Sequence, residues 1–149
     1  MYEKILFPTD FSDVATKALK YVKQLKGAGA QEVILPHVID EKELMVLSRA
    51  PAQYQQIVEE LKKEVATEMA VIVKEMTSEG FHVKPEVREG RPFAVIMDTA
   101  KKGKVSIIVL GSHGKSDIAE LLMGSVSENV IRHAKVPVLV VSKDVKPHK

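Results

Sequence analysis

The chain has 149 residues, 45% of them hydrophobic and 28% charged, a balance expected of one soluble domain, 1–149, with a single core. Lysine and arginine number 22 against 20 acidic residues, so there is no basic excess to argue for nucleic acid, and the lack of any cysteine excludes disulfides, thiolate metal sites and a cysteine nucleophile. Neither a secretory signal nor an apolar run of the ~20 residues a membrane helix needs is visible, so a cytoplasmic protein without a membrane partner is expected.

In chain order, the apolar run Ile5-Leu6-Phe7 predicts a first strand, followed by the turn Pro8-Thr9-Asp10-Phe11-Ser12. Val14, Ala18, Val22 and Leu25 recur at helical spacing, with Asp10 or Ser12 available as N-cap and Gly27 as a stop. Val33-Ile34-Leu35 predicts a second strand. Asp40 to Pro51 has no strong period over its first half and is expected to be the mobile connection. Ile57, Leu61, Val65, Met69, Ile72 and Met76 form a sustained apolar stripe, a long helix closed by Gly80, its methionines serving as core packing. Phe81 to Val87 alternates apolar and polar, as a strand near a sheet edge does. Pro92 can open a helix that turns Phe93, Ile96 and Ala100 inward, with Gly103 after it. Val105 to Leu110, apolar apart from Ser106, predicts a further strand. Ser125 as N-cap with Glu128 three residues on fits a capping box, Val130, Ile131 and Ala134 give the helix its apolar face, and Pro137 stops it. Val138 to Val141 is the last strand, and Lys143 to Lys149 reads as a solvated tail.

Strand and helix alternate throughout, which implies an open five-stranded parallel α/β sheet covered by helices on both faces. Such sheets take ligands where the strand order reverses. The segment with most chemistry is Gly111-Ser112-His113-Gly114, nine further residues, then Gly124-Ser125-Val126-Ser127. It runs from a strand end to a helix start, where unpaired N–H groups and the helix dipole favour an anion, and Ser125 and Ser127 could add hydroxyl donors. The plainer reading makes Gly111 and Gly114 a turn and Gly124 the approach to a cap. Two residues separate Gly111 from Gly114-Lys115-Ser116, too few for a Walker A loop, and the first strand–helix turn lacks the glycines of a dinucleotide fingerprint. Lys115 and Ser116 read as a solvated pair or as phosphate neighbours. The histidines His37, His82, His113, His133 and His148 are scattered, so no metal site from protein side chains is expected, and no nucleophile–base pair marks a catalytic residue.

The spacing Gly111-x2-Gly114-x9-Gly124-Ser125 resembles that of the ATP-binding branch of the universal stress protein family. Ile5 to Asp10, His37 to Asp40 and Ser125 to Val141 resemble its opening strand, second strand end and closing helix and strand. The resemblance implies an adenine nucleotide alpha-hydrolase-like sheet of order 3-2-1-4-5 and a nucleotide, ATP or another adenine derivative. Pro8, Thr9 and Asp10 would meet the nucleoside, Val38 the adenine edge, Gly111 and Gly114 the ribose and first phosphates, and Gly124, Ser125, Val126 and Ser127 the outer phosphates. Asp10 has capping of the first helix as its alternative use. Mg²⁺ or Mn²⁺ would then ride on phosphate oxygens rather than on side chains. In that order Val138 to Val141 is an edge strand, apolar on both faces, and a homodimer through it is expected. The implied role is a stress-response sensor or regulator; the alternatives are a slow ATPase or autophosphorylating enzyme and a nucleotide-free dimeric interaction module.

Overall fold

The computed structural model describes residues 1–47, 50–113, 123–144 and 146. Its sheet contains β1 (Lys4–Leu6), β2 (Glu32–Asp40), β3 (His82–Gly90), β4 (Ile107–Gly111) and β5 (Val138–Val141). All pairs are parallel and the order is β3-β2-β1-β4-β5, as the resemblance implied. The connecting helices are α1 (Asp13–Gln24), α2 (Glu41–Leu47), α3 (Pro51–Ser78), α4 (Pro92–Gly103) and α5 (Ser125–His133).

The continuous apolar runs have a direct cause. Successive strand residues point to opposite faces, and both faces are covered. Ile5, Phe7, Val33, Leu35, Ile107 and Val109 pack with Ala18, Leu19 and Val22 of α1 and Val65, Met69 and Met76 of α3. Their neighbours Leu6, Ile34, Ile108 and Leu110 pack on the other face with Ile96 of α4 and Val130 of α5. The edge strand β3 tolerates Pro85, whereas Pro36 lies inside β2. There Pro36 needs no ladder partner toward β1, because β1 has ended by then and only the Pro36 carbonyl is used, accepting from the Thr9 amide at 3.0 Å.

Several local expectations are corrected. Asp40 to Pro51 contains a helix, α2, which begins directly at the end of β2. Its Leu44 is fully buried against Ile39 and Val58, while Asp40 Oδ1 accepts from the Lys42 amide at 3.0 Å and starts the turn. The long helix begins at Pro51, a residue suited to a first turn, and Val58 is buried more deeply than Ile57. After α1 the chain makes a 3-10 turn over Leu25–Ala28 that includes Gly27, the expected stop, and it is closed by Gly29 in the left-handed conformation with φ 99. Gly103 is the last residue of α4, and Lys104 adopts the left-handed cap with φ 50. β5 is indeed an edge strand, with Val138, Leu139 and Val140 half-buried and Val141 buried.

Candidate functional site

β1 lies between β2 on one side and β4 on the other, so the reversal of strand order falls at the carboxyl ends of β1 and β4. Two segments leave the sheet there. The first, Phe7 to Ser12, is held by its own side chains. Thr9 Oγ1 accepts from the Phe11 amide at 3.1 Å, and Asp10 Oδ1 accepts from the Ser12 amide at 3.0 Å. Ser12 is the N-cap of α1, its hydroxyl accepting from the Ala15 amide at 3.2 Å. The capping role open to Asp10 is therefore Ser12's, and the Asp10 carboxylate instead shapes the turn ahead of the helix.

The second segment starts at Gly111. A Cβ on Gly111 would stand 2.6 Å from Val14 Cγ1 and 3.4 Å from the Val14 carbonyl carbon, so a side chain is excluded by the start of α1. Close helix–strand packing thus requires glycine at this position. Ser112, buried beyond it, ties three elements together. Its amide donates to Val141 O at 2.9 Å, its carbonyl accepts from the Gly124 amide at 2.8 Å, and its hydroxyl accepts from the Lys143 amide at 3.2 Å. The same hydroxyl is 2.8 Å from His113 Nδ1, and His113 Nε2 is buried with no hydrogen-bond partner among the described residues. Gly114, Lys115 and Ser116 lie outside the described residues.

At α5 the capping box does not form. Gly124 is the N-cap and makes no side-chain cap, so Ser125 is the first helical residue and Glu128 falls one position beyond the place where a box requires it. Glu128 instead accepts from Arg132 Nη2 at 2.7 Å, one turn along an exposed face. The Ser127 hydroxyl donates to Gly111 O at 2.7 Å, so that proton is already used. What the helix end offers is main chain. Its first intrahelical bond runs from the Glu128 amide to Gly124 O at 3.0 Å, which leaves the amides of Ser125, Val126 and Ser127 without an intrahelical acceptor.

Ser125 and Val126 also line a cavity of about 360 Å³ at this end of the sheet. Its other walls include Lys42 of α2, Arg91 and Pro92 at the start of α4, and Asn129 of α5, none expected from the sequence as a site residue. Arg91 did carry a signal, a cation between the end of a strand and a proline-started helix. A wider hollow of about 670 Å³, lined by Glu3, Gln31, His82 and Lys104, lies at the amino ends of the strands. Ligand sites of open α/β sheets form at the carboxyl ends, and we weigh the smaller cavity above it. The fold thus gathers Pro8, Thr9 and Asp10, the Gly111 strand end and the Gly124–Ser127 helix start around the reversal. Val38, half-buried in β2, is paired in register with Arg88 of β3. Neither Val38 nor Asp10 walls the cavity.

Compared with known proteins, residues 1–142 match the model of the universal stress protein family. The chain belongs to that family. It is 42% identical to universal stress protein MJ0577 of Methanocaldococcus jannaschii over 96% of each chain. The solved structure of MJ0577 superposes with a TM-score of 0.89 at 44% identity, covering 98% of this chain and 99% of that one. The fold is shared more distantly with a universal stress protein solved in complex with cAMP, at 24% identity, TM-score 0.65 and coverage of 94% and 96%. It is also shared with an Arabidopsis thaliana member of the family solved with AMP bound, at 15% identity, TM-score 0.67 and coverage of 95% and 92%. Among the described residues no helix is long and apolar enough to cross a membrane.

Proposed function

We propose that this universal stress protein binds an adenine nucleotide, ATP foremost, at the reversal point of its sheet, and acts as a nucleotide-dependent regulator in the stress response of the cytoplasm. The observation that carries the reading is the trio of amides at Ser125, Val126 and Ser127, beside the end of β4 and with no intrahelical acceptor. A polyphosphate supplies the acceptors that such a helix end lacks, and the dipole favours its charge. The buried Nε2 of His113 on the adjoining loop, without a partner among the described residues, is a second group that fits a polar ligand. Asp10, on the neighbouring loop, suits the hydroxyls or amino group of a nucleoside. Val38 would present main-chain groups to the adenine edge, and Gly111, Gly114 and Gly124 would frame the ribose and phosphates. Two more distant proteins of this fold hold cAMP and AMP, which supports an adenine ligand.

Any Mg²⁺ or Mn²⁺ would be carried by the phosphate oxygens. Domain limits of 1–149 and a homodimer in which β5 pairs with its twin belong to the same reading, since an apolar edge strand is a template for pairing. Sedimentation at micromolar protein should give a dimer, and a monomer there would remove that part. For the ligand, purified protein is denatured and the released small molecules are identified by mass spectrometry. Stripped protein is then titrated calorimetrically with ATP, AMP and cAMP. Saturable one-site binding of ATP is expected; no heat from any adenylate would overturn the proposal.

A further inference from the structure

Asp10 sits between two residues that are both held by one imidazole. Phe11 has φ 62, a left-handed backbone that is strained for a bulky side chain and easy only for glycine. Its ring stacks on His37, with centroids 4.8 Å apart and planes 25° from parallel. On the other flank of Asp10, the Thr9 carbonyl lies 2.8 Å from His37 Nδ1. A carbonyl only accepts, so Nδ1 carries the hydrogen and donates it. His37 itself is fixed inside β2, in register with Val87 of β3. Glycine at position 11 would follow the same backbone path without strain, but it would have no ring to set against the imidazole.

We propose that His37, acting with Phe11, is a positioning residue: it clamps Thr9 and Phe11 so that Asp10 is presented to the nucleoside in one fixed geometry. This rests on the reading that the Asp10 loop meets a nucleotide. The strained backbone at Phe11 is held because it delivers the ring to His37, and the clamp joins the ligand loop to a central strand rather than leaving it to its own turn bonds.

The test uses amide exchange at Phe11 and Ser12, measured by NMR on nucleotide-free full-length protein, together with calorimetric ATP titration. His37→Leu leaves the Thr9 carbonyl without its donor. Exchange at both amides should rise about tenfold and ATP affinity should fall about tenfold, the scale of one hydrogen bond at the upper end of its net worth. His37→Asn, which keeps a donor near the place of Nδ1, should bring exchange back to within about threefold of wild type and recover part of the affinity, the remainder being the lost stacking. Phe11→Gly relieves the strained backbone but removes a ring that also packs against the core cluster, so its melting temperature should fall while ATP binding weakens. Wild-type exchange at Phe11 and Ser12 in His37→Leu would overturn the clamp whether or not ATP binds. Faster exchange with unchanged ATP affinity would reduce His37 to a structural role and overturn the positioning. Failure of the wild-type protein to bind any adenylate would overturn the nucleotide reading instead.

Discussion

Replacing Ser125 by proline deletes one main-chain N–H from the exposed end of α5 while leaving the helix able to form. Ser125 is the first helical residue, and Gly124 before it has φ -62 and ψ 149, the extended conformation that a residue preceding proline prefers. Proline at this position breaks no ladder bond, because the first intrahelical donor is the Glu128 amide. Stability should therefore change by no more than about 0.5 kcal/mol, the range of surface substitutions without a special mechanism. An amide that donates to a phosphate oxygen contributes about 1.5–3 kcal/mol, so the dissociation constant for ATP should rise about 10- to 150-fold. Ser125→Ala is the control, because it keeps the N–H and removes only an exposed hydroxyl. Stripped proteins would be titrated with ATP by calorimetry, and urea unfolding run in parallel would verify that both variants fold. Wild-type affinity in Ser125→Pro would show that this amide does not hold phosphate. An equal loss in Ser125→Ala would transfer the effect to the hydroxyl and refute the main-chain account.

Gly111→Ala should destabilise the fold by about 1–3 kcal/mol through overpacking on Val14, and by less in a Val14→Ala background; additive costs in urea unfolding would mean that the two positions do not conflict. Ser127→Ala should lower stability by about 1 kcal/mol through loss of the bond to Gly111 O, with ATP affinity held because the residue 127 amide remains. The Asp98 carboxylate is held below its usual range, chiefly by its hydrogen bond with Lys102 and then by Arg88 of β3, which also donates to Thr99 Oγ1 at 3.1 Å. Its folded pKa lies below the unfolded value near 3.9, so the unfolded chain protonates first as pH falls. The contribution is complete above that value and is lost as pH drops through the folded pKa, so Asp98→Asn should flatten the acid limb of stability below about pH 4.

The sheet was legible because its strands are buried on both sides. Val33 to Leu35 and Ile107 to Leu110 are continuous apolar runs since alternate residues serve two separate clusters. The α2 helix was not legible, because a seven-residue helix anchored by the deeply buried Leu44 is too short to yield a period to detect. The start of α5 was misread by one residue. Glycine and serine both serve as N-caps, and the choice of Gly124 follows from its amide bonding to Ser112 O, a contact that no local spacing encodes. The Gly111 motif position was recognised with only half of its physics, since the Val14 contact that forbids a side chain comes from a distant helix. Lys42, Arg91 and Asn129 likewise come from separate elements and meet only when the sheet assembles.

The hydroxyls around the crevice divide the labour of the site. Thr9 Oγ1 accepts from Phe11, Ser12 Oγ from Ala15 and Ser112 Oγ from Lys143, while Ser127 Oγ donates to Gly111. Each has a main-chain partner, through which it fixes a turn, a cap or a strand end, and the three that accept keep one proton to donate. In the proposed binding mode, recognition of an anion falls foremost to groups the folding of α5 leaves over, the amides of Ser125 to Ser127, whose direction is set by the helix and not by a rotamer. Substituting a hydroxyl should accordingly register first in stability, whereas deleting an amide should register first in binding. Gly111 obeys the same division, because it keeps α1 against β4, while the Gly124 main-chain amide bonds to Ser112 and ties down the start of the helix. The proposed binding surface of backbone would need rigid support on both flanks, which the Ser112 junction gives to the α5 end and the His37–Phe11 contact gives to the Asp10 loop.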